Sequence, residues 1–183
     1  KVFPRFYFLT MEELLDILAN GNNPVMLFKE KNYMSKVVQA ADKLSMEVQG
    51  NERPTIVSMN ASVGKETVKF VPDPKAKLMD KVELYLQDIL NIIWKTMRES
   101  SKSTYKEYVS NVMKEVAKDG DKASDTKLKW VESNYAQLVL LISATGWVKM
   151  TEENFRKIQE GETEAMSTFF KTVVLNSNAL IRL

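Results

Sequence analysis

The chain has 183 residues and a mass of 21.0 kDa, with 26 Lys and Arg against 24 Asp and Glu, and neither Cys nor His. Without Cys there is no disulfide, thiolate nucleophile or cysteine-bound zinc, and without His there is no imidazole base or imidazole metal ligand. Serine–histidine triads, papain-like sites and zinc enzymes with histidine ligands are therefore excluded. The length suits one domain, or two small subdomains that share a core.

The net charge of +2 is too small to indicate a nucleic-acid partner. Lysines cluster between Lys114 and Lys129, but aspartates within the same stretch cancel much of their field, which favours a solvated helix face. No apolar run approaches the ~20 residues that span a bilayer, and there is no signal peptide. Because the chain opens on Lys1 and not on Met, we expect a cytosolic fragment of a larger protein, with no nucleic-acid and no membrane partner.

The opening of the chain is rich in aromatic residues. Pro4 favours an extended conformation for Phe3, and in an extended chain Phe6 and Phe8 share one side. Thr10 and Glu13 then have the spacing of a capping box. We therefore expect an aromatic segment pinned against a short helix with an apolar face, whose members are Leu14, Leu15, Ile17 and Leu18.

Glycine and proline mark the end of this helix and the start of another. Gly21 should stop the first helix in the left-handed conformation, and Pro24 suits the first position of the next. The helical period then continues to Ala41.

Two alternating, β-branched runs follow, at residues 54–59 and 66–71, and the loop between them contains Gly64. This pattern is typical of a β-hairpin, and residues 46–48 are a candidate third strand. Since an isolated hairpin is marginally stable in water, it must lean on helices or on a partner.

The second half of the chain predicts long helices. A stripe with three- and four-residue spacing runs from Leu78 to Val116, weakened by polar residues 99–104, and predicts one helix or two collinear ones. A continuous helix of about 40 residues would be about 60 Å long, against a radius of gyration of about 16 Å for a compact chain of this size. We therefore expect an elongated architecture.

After a loop at residues 118–121, a second long helix is predicted from about Ser124 to Val148. It has one apolar face through Leu138 and Ile142 and a second that includes Trp130, Leu141 and Trp147, which is typical of a helix inside a bundle. Thr151 should cap a short helix closed by Gly161, and residues 166–181 should form a last helix. The predicted fold is mainly α, an elongated helical bundle with an inserted β-hairpin of two or three strands, divided into residues 1–72 and 73–183.

None of the possible chemical motifs is complete. Residues 62–67 resemble a phosphate-binding loop, but Met59 stands in place of its first Gly, Glu66 in place of its Ser or Thr, and a strand follows in place of a helix. The acidic residues at 119–125 lack the spacing of a calcium loop. Glu12, Glu13 and Asp16, like Glu152 and Glu153, are better explained as carboxylates in the first turn of a helix. The residues predict no catalytic, cofactor-binding or metal site.

Three stretches of the chain resemble dynein heavy chains. Phe3–Leu9 with Glu13–Leu18 resembles the "FPRFYF…ELLEIL" stretch of the dynein linker, the helical arm just ahead of the AAA+ ring. The hairpin Ile56–Phe70 is similar to the linker's "SSEGEEVxF" hairpin, and Trp130–Trp147 is similar to its "WI…YQAQLVVL…W" helix. The Ala136-Gln137-Leu138 form looks closer to cytoplasmic than to axonemal dyneins.

The resemblance implies a non-catalytic mechanical element, the ring-proximal part of the linker, which turns ATP-driven changes in the ring into force along microtubules. ATP and magnesium would bind the parent's ring and no cofactor would bind this fragment. Partners would be the AAA+ ring of the same heavy chain and, through the parent, microtubules and other dynein subunits, in the cytoplasm on the cytoskeleton. The alternative is a free-standing helical adapter that binds a protein partner.

The hairpin tip supplies the candidate contact with the ring. It carries a less acidic sequence than the family usually has at this place. The four candidate residues are Ser62, Val63, Gly64 and Lys65.

Overall fold

The structure, a computed structural model, describes residues 3–39, 41–48, 50, 52–61, 66–70, 76–78, 81–113 and 120–181. Of residues 76, 77, 120–124, 175, 176 and 178–181 only the backbone is described. The protein is mainly helical with a small antiparallel sheet, which confirms the predicted fold class. Its contacts divide it into two compact units, residues 1–98 and residues 99–183. The division at residues 72 and 73 that the sequence suggested stays a prediction.

The aromatic opening of the first unit forms a 3-10 helix, Pro4–Phe8, and not the extended segment that the sequence predicted. Phe3 itself is extended, as expected before proline, and is buried. A three-residue turn places Phe3 and Phe6 on the same side, where their rings meet edge to face with centroids 5.0 Å apart. Phe8 therefore points away from Phe6 and is 72% exposed.

Helix α1, Met11–Ala19, begins with the predicted capping box. The Glu13 amide donates to the Thr10 hydroxyl (3.3 Å), and the Glu13 carboxylate accepts from the Thr10 amide (2.9 Å). Within the predicted apolar face, Ile17 is buried while Leu15 and Leu18 are exposed.

The end of α1 differs from its prediction. Gly21 does not have a positive φ, so it does not end α1 in the left-handed conformation that was predicted. The close approach of Val82 explains it better, since a side-chain carbon on Gly21 would lie 3.1 Å from the Val82 Cβ. Gly21 is needed here for space and not for backbone freedom.

Pro24 restarts a helical segment as predicted, and the Asn23 side chain accepts a hydrogen bond from the Met26 amide at 3.2 Å. The segment continues as a π-helical turn, Met26–Glu30, and after a short break as helix α2, Met34–Val37. The predicted helical run to Ala41 is wrong, because Ala41 already belongs to the first strand.

The described sheet has four strands: β1, Ala41–Glu47; β2, Thr55–Ala61; β3, Thr67–Lys69; and β4, Ala76–Lys77. β2 is central, with β1 antiparallel on one side and β3 and β4 antiparallel to it as well. The hairpin and the third strand at 46–48 are therefore confirmed, although β1 begins earlier than predicted. β4 was not predicted because two residues carry no periodicity.

The core of the first unit lies between the sheet and the helices. Leu27, Phe28, Met34 and Tyr85 are almost wholly buried, and the rings of Phe28 and Tyr85 meet edge to face at 6.1 Å. Ile56 contributes from β2. Burial of each such large side chain is worth roughly 1.5–3 kcal/mol, so this shared core is what supports the hairpin.

Helix α3, Val82–Glu107, is followed directly by a π-helical turn, Tyr108–Val112. Of the two alternatives left open by the sequence, one continuous helix is therefore the correct one over the described residues. The polar stretch 99–104 lies within α3, and Thr104 in it is buried. Its hydroxyl donates to the Asn134 side-chain oxygen at 2.8 Å, which allows a polar residue at this buried place.

The second unit also contains helices α4, Gly120–Ser133; α5, Ala136–Gln159; and α6, Ala165–Ile181. The predicted loop at 118–121 is wrong at residues 120 and 121, which are helical, while 118 and 119 lie outside the described residues. The predicted single helix from Ser124 is broken after Ser133. Asn134 ends it by turning its side-chain amide back to the Trp130 carbonyl at 2.9 Å.

The later part of α5 also differs from its prediction. Thr151 is not a cap, because α5 passes through it and its hydroxyl donates to the Trp147 carbonyl at 2.8 Å. Glu152 and Glu153 therefore lie inside α5 and not in a first turn. Gly161, with φ of +106°, closes the helix as predicted, and α6 confirms the last predicted helix.

Of the two apolar faces predicted for this region, one is buried and the other is partly exposed. Leu138 and Ile142 are buried, and so is Trp130 of α4, whose ring lies 4.9 Å from that of Tyr108. Leu141 and Trp147 are more than half exposed. The expectation that both faces are buried inside a bundle is therefore wrong for Leu141 and Trp147 of the second face, although Trp130 of that face is buried.

Candidate functional site

The candidate contact residues Ser62, Val63, Gly64 and Lys65 lie outside the described residues, so their role stays a prediction. The strands on either side of them are described. The Ala61 amide donates to the Glu66 carbonyl at 3.0 Å, and Asn60 pairs with Thr67 in the β2–β3 register. The hairpin thus brings its two strands together up to the residues that flank the candidate tip.

The base of the hairpin is fixed to the core of the first unit. Ile56 and Val68 are buried on β2 and β3, while Met59 and Phe70 pack partly buried against the same core. The Asn60 side-chain oxygen accepts a hydrogen bond from Ser45 on β1 at 3.2 Å. The two strands are therefore anchored to this core by both apolar packing and a hydrogen bond to β1.

The acidic residues of α1 form structural contacts. The Glu13 carboxylate meets the Lys36 ammonium at 3.1 Å in addition to its capping bond. The Thr10 backbone amide and Lys36 lower the pKa of Glu13. A general acid needs a raised pKa near neutrality, so this carboxylate is suited to holding α1 in place and not to proton transfer.

Asp16 is the centre of a second polar cluster. Its carboxylate accepts hydrogen bonds from the Lys31 ammonium at 2.6 Å and from the Tyr33 phenol at 2.5 Å. These bonds lower the pKa of Asp16, and the bond from Lys31 has the largest effect. The Asp16 carboxylate in turn raises the pKa of Tyr33 to about 12. Asp16 therefore joins α1 to the segment before α2 as a permanent anion near neutral pH.

The aromatic opening and α1 border a groove that the sequence did not reveal. Phe3, Phe6 and Tyr7 line it with Leu14, Leu18 and one acidic residue, Glu83, and its volume is about 410 Å³. The signal in the sequence was the density of aromatics in Phe3–Phe8, but only the 3-10 turn brings Phe3 and Phe6 together. The groove contains no pair of titratable groups suited to acid–base chemistry.

Within the described parts of the chain, no three or more Asp and Glu side chains come close enough to hold a metal ion. None of the described helices combines the length and the apolar character that crossing a bilayer requires.

Residues 1–104, which contain the aromatic opening, the sheet and most of α3, match the family described as dynein heavy chain, N-terminal region 2. The chain belongs to the dynein heavy chain family. This family match includes the hairpin and its flanking strands. The resemblance seen in the aromatic opening is thereby confirmed at the level of the family.

Curated relatives extend the similarity over the whole chain. The dynein alpha chain of the flagellar outer arm of Chlamydomonas reinhardtii is 32% identical over 184 residues, and human dynein axonemal heavy chain 17 is 26% identical over 181 residues. The ciliary dynein beta chain of Heliocidaris crassispina is 27% identical over 183 residues. Each alignment covers 99% of this chain but only 4% of the relative. These names are flagellar, ciliary and axonemal, so a closer similarity to cytoplasmic dyneins is not confirmed.

Proposed function

We propose that this chain is the ring-proximal part of the linker of a dynein heavy chain, a non-catalytic mechanical element. In this proposal, ATP binding and hydrolysis in the AAA+ ring of the parent bend and straighten the linker, and the linker passes the motion on as force along a microtubule. The observation that carries the proposal is the family match over residues 1–104. It includes the aromatic opening and the hairpin, the two features that most resemble the linker.

The helices supply a physical reason for a mechanical role. α3 has 26 residues, and at 1.5 Å per residue it is about 39 Å long. Buried side chains occur along it, among them Leu86, Ile93 and Thr104. A helix supported along its length by packing resists bending better than a solvated one, and such an element can carry a load.

The hairpin tip, residues 62–65, is the proposed contact with the ring. Lys65→Ala in the parent heavy chain should then slow microtubule gliding, because it removes the charged side chain at the contact. Lys69→Ala on the exposed side of β3 is the matched control and should glide at the parent's speed. If both variants glide at the same speed, the tip is not the contact with the ring.

The partners follow from the same proposal. They are the AAA+ ring of the same heavy chain and, through the parent, microtubules and other dynein subunits, with ATP and magnesium bound in the ring. The location would be cytoskeletal and microtubule-associated. The flagellar and ciliary names of the relatives favour an axonemal parent.

A helix break tests the mechanical role. Lys95 is exposed on α3, and proline at this position would remove a backbone hydrogen bond and cost about 3 kcal/mol of helix stability. In the parent heavy chain, Lys95→Pro should slow microtubule gliding several-fold while ATP binding is retained. Lys95→Ala, which keeps the helix, should glide at the parent's speed. A Lys95→Pro motor at full speed would overturn the proposal.

A separate measurement tests the non-catalytic part. Magnesium-ATP added to the 183-residue chain should leave its melting temperature unchanged, because ligand binding to the native state would raise it. A rise that grows with ATP concentration would contradict the proposal.

A further inference from the structure

Among the described residues, one surface of α5 is left largely exposed. Leu140, Trp147 and Phe155 are 73%, 53% and 57% exposed, and Leu141, Val148 and Ile158 are exposed beside them. Together with Ala144 and Thr151 these residues follow a three- and four-residue spacing, so they form one continuous stripe along the helix. We call these eight residues the α5 stripe.

The α5 stripe lies opposite the face by which α5 is held in its own unit. Leu138, Ile142 and Gly146 are the buried positions of the helix. At 100° per residue, the stripe is centred about half a turn of rotation away from them. The stripe is therefore not an extension of the buried core but a second contact face, and it spans about 27 Å from Leu140 to Ile158.

Three polar side chains in or beside the stripe already have hydrogen-bond partners within α5. The Thr151 hydroxyl donates to the Trp147 carbonyl and the Thr145 hydroxyl to the Leu141 carbonyl, both at 2.8 Å. The Asn154 amide donates to the Met150 carbonyl at 2.7 Å. Removing water from this surface would leave each of these three side chains with a hydrogen bond, which lowers the cost of burying them.

We propose that the α5 stripe is covered by an apolar helix of the same heavy chain that lies outside residues 1–183. This inference rests on the proposed function, because it needs a parent chain longer than the one described. The helix that covers the stripe would carry its own apolar residues at three- and four-residue spacing and no unpaired charge along the contact. Leu140, Trp147 and Phe155 would be the side chains that it buries.

The size of the stripe favours an occupant on the same polypeptide over a second copy. Whole aromatic side chains bury 150–250 Å² each, so six roughly half-exposed apolar side chains offer on the order of 500 Å². A stable interface between separate proteins takes about 800 Å² from each partner. A tethered helix needs less, because it does not pay the translational and rotational cost of association between separate molecules.

A parent chain as long as the relatives would have room for such a helix outside residues 1–183. The chain spans only 4% of the flagellar, axonemal and ciliary relatives that it matches. A parent of comparable length would have most of its polypeptide outside residues 1–183, and the stripe would meet that polypeptide at a high effective concentration.

Photo-crosslinking in the full parent heavy chain tests the proposal. Phe155→p-benzoylphenylalanine and, in a second variant, Trp147→p-benzoylphenylalanine place the crosslinker on the stripe. Glu153 is the matched control on the other side of the same helix, with its side chain 62% exposed. After illumination, the denatured chain is sized on a gel and the crosslinked peptide is identified by mass spectrometry.

We expect both stripe variants to crosslink at least tenfold more than the Glu153 variant. The denatured product should keep the mass of a single heavy chain, and the crosslinked peptide should come from a helical segment outside residues 1–183. A product of higher mass would show a second copy or another polypeptide and would overturn the inference. So would a peptide from within residues 1–183, or crosslinking no stronger than that of the control.

The failure of this inference is distinguishable from failure of the proposed function. Gliding of the Lys95→Pro motor tests the mechanical role without reference to the stripe. If Lys95→Pro slows gliding but the stripe does not crosslink, only the inference about the α5 stripe is overturned.

Discussion

The phenol of Tyr85 in α3 donates a hydrogen bond of 2.9 Å to the carbonyl of Gly21, 64 residues earlier in the chain. Tyr85 is fully buried, and burial raises its pKa, so the phenol keeps its proton as a donor. This bond joins the turn after α1 to the start of the long helix.

Tyr85→Phe should therefore lower the free energy of unfolding by about 1–2 kcal/mol, because the buried Gly21 carbonyl loses its donor while the ring is kept. Urea denaturation of the 183-residue chain measures the loss. Tyr7→Phe, at a ring that is 75% exposed, is the control and should change stability little. Equal stability of Tyr85→Phe and the unmodified chain would show that the bond contributes nothing.

Gly146 of α5 lies directly against Tyr108, and a side-chain carbon at position 146 would overlap the tyrosine ring. Gly146→Ala should destabilise the chain by about 1–3 kcal/mol despite the better helix propensity of alanine, because the ring must move and is itself packed on Trp130. Thermal unfolding followed by tryptophan fluorescence measures it.

A double-mutant cycle identifies the cause. Once Tyr108→Ala has removed the ring, adding Gly146→Ala should cost almost nothing further. If Gly146→Ala is equally harmful in both backgrounds, the clash with Tyr108 is not its cause.

The Asp16 cluster predicts a loss of stability in acid. The folded-state pKa of Asp16 is lowered from its ordinary value of 3.8, chiefly by Lys31. A lowered pKa contributes stability that is fully present above the ordinary value and is lost as the pH falls through the folded-state pKa. Asp16→Asn should thus reduce the difference in unfolding free energy between about pH 7 and about pH 3.

Urea titrations at several pH values measure this difference. Lys31→Met should reduce it in the same direction, since it removes the other partner of the bond. An unchanged pH dependence in both variants would mean that the cluster does not couple to folding.

Asn134 holds the junction between α4 and α5 through four hydrogen bonds, one of which runs from its amide to the Ser133 hydroxyl at 3.4 Å. Its oxygen accepts from Thr104, and its amide donates to the Trp130 carbonyl and to the Glu107 carboxylate at 3.2 Å. Asn134→Ala should lower the unfolding free energy by about 1–3 kcal/mol, because it leaves the hydroxyl of buried Thr104 without this acceptor. Ser103→Ala is the control for urea denaturation, since the exposed Ser103 hydroxyl donates to the Ser100 carbonyl of its own helix, α3, at 2.9 Å. Equal losses in both variants would contradict a specific role for Asn134.

Local signals in the sequence predicted local structure well. The capping box at Thr10 and Glu13, the hairpin and the closing role of Gly161 each depend on a few adjacent residues, and each is confirmed. The break after Ser133 was missed because its cause is only partly local: the Asn134 side chain bonds to the Trp130 carbonyl four residues earlier and also to a residue far along the chain. In the sequence alone, Asn134 looks like an ordinary helical residue. Only the structure shows that Thr104, 30 positions away, donates a hydrogen bond to it.

Burial was harder to predict than helix type. Trp130 and Trp147 are both tryptophans at helical spacing, yet one is buried and the other is half exposed. Periodicity identifies an apolar face but does not say whether this stretch of chain supplies the partner for it. The same limit applies to the groove beside Phe3 and Phe6, which depends on a 3-10 turn that the aromatic pattern did not indicate.

The π-helical turn at Tyr108–Val112 has a consequence for how related chains should be compared. From Thr96 onward the positions that face inward recur every four residues, including Thr104, Tyr108 and Val112, and each such step overshoots a 3.6-residue turn by about 40°. A π-helical turn has more residues per turn than an α-helix and so reduces this excess rotation. A single residue inserted into an α-helix has the same effect. A relative with a regular α-helix at this place should align with a one-residue gap near Tyr108 and carry its inward positions at mixed three- and four-residue intervals.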